Sequence, residues 1–291
     1  RGFEKECERV SWLQVFPYTD RLNYASPFLN NVGYAMAVEK LAGITDDVPE
    51  RAQYIRVIMG ELSRVFDHLT CVGAGAMELG GFTPFLYAVE AREEVLRLIE
   101  EVAGARLTVS YARIGGVKED LPEDFAERYR FVRDRSLERL NEVAKLLTRL
   151  RIFMDRMEGT GVFDADFALA HGFSGPMLRS TGCSYDVRKD HPYLVYDRFD
   201  FDIPVGSRGD NYDRYLIRLE EVVQSFRIID QALEQMPEGP VMLDDWRYCL
   251  PEKELVYHTI EGCIAHFELI MFGPKVPQGM AYAYTEGGNG E

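Results

Sequence analysis

The chain has 291 residues, of which 46% are apolar and 28% are charged. These fractions are typical of a folded globular protein and exclude a largely disordered chain. The formal net charge of -15 argues against nucleic acid and acidic lipid headgroups as partners, because like charges repel. No stretch of the sequence approaches the roughly 20 uninterrupted apolar residues that cross a bilayer.

Both ends of the sequence look cut. The chain opens on Arg1 rather than on Met, and its last residues, 286–291, stop without a closing element. We therefore expect an internal fragment of a longer protein that forms one domain over residues 1–291.

Helical spacing of apolar residues predicts three helices in the first part of the chain. The first covers residues 21–42 and is ended by Gly43. The second is capped by Asp47, has Pro49 at an early position, and runs toward Glu78. The third opens at Thr83 and continues to about residue 102, where Gly104 follows.

Three further helices are predicted in the second part. Residues 122–157 are rich in Arg and Glu pairs that can meet across one turn. Residues 159–209 lack a long period and indicate turns, short strands and loops. Asp210 caps a fifth helix, and residues 252–272 form a sixth. Long helices with short connections predict a mainly α bundle with a small irregular or β-containing insert.

The residue types alone indicate little chemistry of their own. The five cysteines are scattered without a Cys-x-x-Cys pair, which argues against a disulfide framework, a structural zinc site or an iron–sulfur cluster held by this chain. His258 and His266 lie two turns apart, whereas a zinc pair normally lies four residues apart. No phosphate-binding glycine loop is present. These observations favour a bundle that shapes a site for a cofactor held by another chain.

Short segments spread along the chain carry a resemblance to a known family. They are RGFEK at 1–5, PYTDRLNY at 17–24, AVEKL at 37–41, PERAQYIRVIM at 49–59, ELSR at 61–64, HL at 68–69, TPF at 83–85, GAR at 104–106, RIGGV at 113–117, GPMLR at 175–179, DVRK at 186–189, YDRFD at 196–200 and GPV at 239–241. In this order they resemble the NuoD-type, quinone-site subunit of respiratory complex I, the proton-pumping NADH:quinone oxidoreductase. That family resembles the large subunit of nickel–iron hydrogenases, which implies a hydrogenase-like helix bundle.

The resemblance also implies that the chain holds no nickel. In the hydrogenases, thiolates of a Cys-x-x-Cys pair bind the metal, and Asn23 and Ser26 stand at the equivalent positions here. Nickel in such a site requires soft thiolate ligands. A catalytic subunit of a membrane-bound nickel–iron hydrogenase is therefore the weaker interpretation.

In the resembling family the vacated metal cavity is the quinone headgroup pocket. Tyr24 matches the tyrosine that hydrogen-bonds a quinone carbonyl, and a neutral phenol can do so without bringing charge into an apolar tunnel. The tyrosine's histidine partner belongs to a loop upstream of Arg1 and is absent from this sequence, as is the family's C-terminal segment. The acid that pairs with the histidine matches Glu78, where the family usually has Asp; a solvated or capping role for Glu78 stays open.

Arg1 and Arg21 match two arginines near the terminal iron–sulfur cluster, which belongs to a neighbouring subunit. A guanidinium there would raise the cluster potential, although Arg1 could equally be an ordinary surface arginine. Thr108 stands where the family commonly has a histidine close to the same cluster. Threonine does not titrate near neutral pH, so we expect a weaker pH dependence of the cluster potential.

The resemblance implies one component of an enzyme complex in which quinone is the substrate. NAD and the iron–sulfur clusters would be held by other subunits, and the partners would be the C-type subunit, which holds the terminal cluster, and the H-type subunit of the membrane arm. The chain would lie in the peripheral arm, on the cytoplasmic face of the inner (plasma) membrane of a bacterium. A purely structural assembly subunit is the alternative from another class. The sequence leaves open the quinone type and whether NADH, F420H2 or ferredoxin supplies electrons.

Overall fold

The computed structural model describes residues 2–291, so Arg1 lies outside it. The helices are α1 (Phe3–Cys7), α2 (Phe16–Thr19), α3 (Pro27–Ala42), α4 (Glu50–Glu78), α5 (Phe82–Ala103), α6 (Phe125–Leu147), α7 (Arg151–Met157), α8 (Ala165–Ala170), α9 (Gly175–Arg179), α10 (Val187–Asp190), α11 (Asn211–Gln235), α12 (Lys253–His258) and α13 (Ile260–Phe272). The strands are β1 (Ala112–Arg113) and β2 (Gly116–Val117). The predicted mainly α architecture with a small β element is confirmed.

Helix α4 is the centre of the bundle. It packs against α3, α5 and α11, and α5 packs in turn against α6. Residues on every side of α4 are fully buried, including Ile55, Ile58, Leu62 and Val65, which is typical of a helix surrounded by protein. At Gly73 a Cβ atom would lie 3.0 Å from the Cβ of Ala88, so glycine lets α4 and α5 approach closely.

The β element lies elsewhere than predicted. β1 and β2 form an antiparallel pair, with Ala112 opposite Val117, in the connection between α5 and α6. Residues 159–209 contain the predicted turns and loops. The short strands predicted there are wrong, because this range contains α8, α9 and α10 and no strand. Capping explains the local helices: Asp164 accepts a hydrogen bond from the backbone of Phe167 at the start of α8, and Asp186 accepts one from Arg188 at the start of α10.

Predicted helix ends are more accurate than predicted helix starts. Gly43 and Gly104 end α3 and α5 with φ of 73° and 77°, as the sequence indicated. The first predicted helix is wrong in its start, because residues 20–25 form turns and α3 begins at Pro27. Asp47 lies in a 3-10 turn, and Pro49 occupies the position before α4.

Two predicted long helices are each divided. The fourth breaks between α6 and α7, after Leu147. The sixth breaks at Thr259, whose hydroxyl accepts a hydrogen bond from the backbone of Gly262 and starts α13 anew. Asp210 caps α11 as predicted, accepting from the backbone of Asp213 at 2.9 Å. Within residues 2–291, no helix combines the length and apolar character needed to cross a membrane.

Candidate functional site

Tyr24 lies in an exposed turn whose backbone is held on both sides. The Tyr24 side chain is 66% exposed. Ser26 closes the turn by donating its backbone N–H to the carbonyl oxygen of Asn23 at 3.1 Å. The amide of Asn30, on α3, donates to the same carbonyl at 3.3 Å. The phenol therefore projects from a fixed backbone and is free to meet a ligand.

Asp67, on α4, joins this turn to the core. Its Oδ2 atom accepts hydrogen bonds from Asn23 Nδ2 at 3.2 Å, Ser26 Oγ at 3.1 Å and Asn289 Nδ2 at 3.3 Å. Asn23 Nδ2 also donates to Ser26 Oγ at 2.7 Å. The two side chains at the thiolate-equivalent positions thus form a hydrogen-bonded group around a carboxylate.

A pair of hydrogen bonds between Asp20 and Ser110, called the tether below, fixes the N-terminal end of the turn. Asp20 is fully buried and accepts hydrogen bonds from the backbone and the hydroxyl of Ser110, the latter at 2.6 Å. Arg21, which is exposed, donates to the carbonyl oxygen of Pro17. The tether therefore brings Arg21 and the exposed Thr108 into neighbouring segments, although their predicted relation to a cluster stays a prediction.

Glu78 is the last residue of α4 and is exposed. It lies three helical turns beyond Asp67, on nearly the same face, and about 16 Å further along the axis by the helical rise. Between them this face carries Cys71, Ala74 and Gly75, which are all at least partly exposed. The structure thus separates Glu78 from the anchor of the Tyr24 turn and leaves small side chains between them.

A buried ion cluster, which the sequence analysis missed, lies behind this site. Its members are Glu61, Arg64, Arg179, Asp186, Arg188, Glu221 and Glu286, all between 0 and 2% exposed. Arg64 Nε contacts Glu61 Oε2 at 3.1 Å, and Arg188 contacts both Glu61 oxygens at 3.2 Å. Although burial raises the pKa of Glu61, the Arg64 and Arg188 guanidiniums lower it to about 2. Glu61 is therefore ionised.

The other half of the ion cluster ties the C-terminal segment to α11. Arg179 donates to Glu221 Oε1 at 2.6 Å and to Glu286 Oε1 at 2.8 Å. Burial raises the pKa of Glu286 despite the neighbouring Arg179. Three guanidiniums face four carboxylates in this cluster, so a protonated Glu286 would balance the charges.

His68 extends the ion cluster toward Asp67. Its Nε2 atom lies 2.6 Å from Glu221 Oε2, but the two atoms are not aligned as a hydrogen bond. Burial lowers the pKa of His68, against the opposite effect of Glu221. We therefore interpret His68 as a neutral core histidine at pH 7. In the described part of the chain, no three His, Cys, Asp or Glu side chains are grouped to hold a metal ion.

The sequence contains a signal for the buried ion cluster, but the spacing of the charged residues alone does not reveal it. Glu61 and Arg64 lie three residues apart, as an ordinary surface pair does. Apolar residues on all sides of them, from Ile58 to Val65, indicate that this pair is buried.

Comparisons with known proteins agree with the resemblance seen in the segments. The family described as "Respiratory-chain NADH dehydrogenase, 49 Kd subunit" matches residues 78–291. Over the whole chain, the D 1 subunit of NADH-quinone oxidoreductase from Sorangium cellulosum (strain So ce56) is 58% identical, and the match covers 72% of that protein. The D subunit from Myxococcus xanthus (strain DK1622) is 56% identical over the whole chain, with 70% of it covered.

A third relative, the D 2 subunit of NADH-quinone oxidoreductase from Anaeromyxobacter sp. (strain K), is 58% identical over the whole chain, with 67% of it covered. The agreement of the family match with these relatives leads to one assignment: the chain belongs to the family of the D subunit of NADH-quinone oxidoreductase, a component of an oxidoreductase complex.

Proposed function

We propose that this chain forms the quinone headgroup pocket of a proton-pumping NADH:quinone oxidoreductase, next to the terminal iron–sulfur cluster of a neighbouring subunit. One observation carries the proposal: the exposed phenol of Tyr24 stands on a turn that Asn23 and Ser26 fasten to α4. A phenol held in this way can donate a hydrogen bond to a quinone carbonyl and can supply a proton as the carbonyl is reduced.

The face of α4 beyond Asp67 supports a ligand that extends away from Tyr24. Apart from the neighbouring backbone of α4 itself, no atom of the described residues lies within 4 Å of the place where a Cβ would stand at Gly75. Small side chains between Asp67 and Glu78 would leave room for the quinone and for the histidine that the family carries upstream. Glu78, at the far end, would pair with that histidine and replace its proton.

Arg21 and Thr108 would lie on the side of the site that faces the cluster. The tether between Asp20 and Ser110 holds their two segments together. The guanidinium of Arg21 would stabilise the reduced, more negative cluster. Arg1, to which the same role was assigned, lies outside the described residues.

Partner subunits would supply the remaining chemistry. NAD and the iron–sulfur clusters would belong to other chains, and this chain would contact the C-type subunit with the terminal cluster and the H-type subunit of the membrane arm. It would work in the peripheral arm, on the cytoplasmic face of a bacterial plasma membrane.

The test is quinone reductase activity in membranes that carry Tyr24→Phe, with complex content measured in parallel. We expect quinone reduction to fall while assembly and cluster reduction are retained, because only the hydroxyl is removed. Tyr257→Phe is the matched control: Tyr257 is 78% exposed and lies on α12. Unchanged turnover and unchanged quinone affinity in Tyr24→Phe would leave a structural assembly role as the better interpretation.

A nickel–iron hydrogenase would require a different result. Nickel at one equivalent in the purified complex would support it. The donor set argues against that outcome, because Asn23 and Ser26 present an amide and a hydroxyl to Asp67 where soft thiolates would be needed.

A further inference from the structure

The Ser26 side chain does not cap α3, although its position at the start of that helix favours capping. It occupies the N-cap position of α3 but makes no side-chain capping hydrogen bond. Serine is among the preferred N-cap residues because its oxygen can accept from a free backbone N–H. Here the Ser26 hydroxyl donates to Asp67 and accepts from Asn23 instead. The local geometry of the turn is therefore set by Asp67 rather than by the helix start.

Asp67 links three parts of the molecule, which are α4, the Tyr24 turn and the C-terminal segment. It is 3% exposed, and its Oδ2 atom takes donors from the Tyr24 turn and from Asn289 in the C-terminal segment. The C-terminal segment passes so close that a Cβ at Gly288 would stand 2.5 Å from the same oxygen. A single carboxyl oxygen can accept more than one hydrogen bond, so the Asp67 side chain can hold all three parts together.

We propose that Asp67 is a positioning residue for quinone, which holds the backbone on both sides of Tyr24 so that the phenol meets the substrate carbonyl in one geometry. The inference rests on the proposed function of Tyr24. Asn23 and Ser26 flank Tyr24 and both bond to Asp67, so loss of the carboxylate detaches these two side chains from α4. The bonds of Ser26 N–H and Asn30 to the Asn23 carbonyl stay, so the turn is loosened rather than unfolded. A phenol on a loosened turn would bind quinone less well, because the turn must be ordered anew in each complex.

The experiment uses the assembled complex in membranes and measures KM and kcat for a short-chain ubiquinone analogue. Asp67→Ala is expected to raise KM at least fivefold with a smaller change in kcat. NADH oxidation by ferricyanide, which bypasses quinone, should stay near the wild-type value per unit of complex. Asp67→Asn should restore KM to within twofold, because its carbonyl oxygen can still accept from Asn23 and Ser26.

Asp213→Ala is the matched control for loss of a buried aspartate. Asp213 is 7% exposed, and its Oδ2 accepts from the backbone of Ser207 and of Arg208 at 2.7 Å each. This variant should lower complex content without changing KM. If Asp67→Ala behaves in the same way, its role is structural and the inference is wrong.

A double variant separates this inference from the proposal on which it rests. In a Tyr24→Phe background, Asp67→Ala should raise KM by much less than it does alone, since the phenol it positions is already lost. If Tyr24→Phe raises KM and Asp67→Ala does not, only the positioning role is overturned. If Tyr24→Phe leaves KM and kcat unchanged, the proposed function fails and the positioning role falls with it.

Discussion

Replacing Arg64 with Met tests whether the buried ion cluster holds the bundle together. Arg64 is fully buried on α4 and contacts Glu61 at 3.1 Å. Its two Nη atoms also donate to the carbonyl oxygens of Glu286 and Gly287, at 2.6 and 2.7 Å. Methionine and arginine have nearly equal helix propensities, so Arg64→Met removes the charge and its hydrogen bonds without weakening the helix itself.

The expected loss of unfolding free energy is large. Removing one partner of a buried ion pair costs about 3–5 kcal/mol. Arg188 still contacts Glu61 in this variant, but the cluster loses one of its positive charges and the carbonyls of Glu286 and Gly287 lose their donor. Arg97→Met is the control at a site of the same spacing: Arg97 is 63% exposed and pairs with Glu94 at 3.1 Å. A surface pair of this kind contributes about 0–1 kcal/mol. The two losses therefore differ by about 2–5 kcal/mol, or roughly one and a half to three and a half orders of magnitude in the folding equilibrium.

Urea unfolding of the full-length protein, followed by far-ultraviolet circular dichroism, measures both variants. Arg64→Lys is the milder companion, because it keeps the charge and loses the planar two-pronged donor, and it should fall between wild type and Arg64→Met. A loss below about 1 kcal/mol for Arg64→Met, equal to that of the surface control, would refute the stabilising role assigned to the ion cluster.

Three further predictions concern the open face of α4, acid stability and the cluster. Gly75→Leu should raise the KM for quinone and keep complex content, because this position meets open space, whereas Gly73→Leu should lower complex content, because a Cβ there lies 3.0 Å from Ala88. The urea concentration at the unfolding midpoint should decrease as the pH is lowered from 5 to 2. The pKa of Glu61 is lowered to about 2 in the folded protein, so the stabilisation by its charge is complete above the unfolded pKa of about 4.3 and is lost as the pH falls toward the folded value. A urea midpoint that does not change with pH over this range would contradict the role of Glu61. If the proposed function holds, Thr108→His should make the cluster potential more pH-dependent near neutrality, and an unchanged slope in redox titration would count against it.

The sequence predicted those parts of the fold that depend on local chemistry. Gly43 and Gly104 end helices because they adopt positive φ, and Asp210 starts α11 because its carboxylate accepts from Asp213. The start of α3 was misplaced because Asn23 and Ser26 bond to a residue 44 and 41 positions away. No local pattern reports such a contact.

The same limit explains why the candidate site was only partly predicted. Tyr24 was identified through the resemblance, but its anchor Asp67 was not, because an acid on a helix is normally solvated. Glu61 with Arg64 and Glu94 with Arg97 have the same spacing in the sequence. One pair is fully buried and the other is partly exposed, and only the apolar residues around Glu61 distinguish them before the tertiary structure is known.

The contacts of Arg64 also constrain how the chain is completed during synthesis. Its carbonyl partners, at Glu286 and Gly287, are 222 and 223 positions further along the chain. Until those residues have left the ribosome, the middle of the central helix carries a guanidinium without two of its acceptors, and such distant pairings form late. A nascent chain that stops before residue 286 is therefore destabilised at its core. A chaperone or protease would meet a bundle whose core is incomplete, not a folded bundle that merely lacks its last residues.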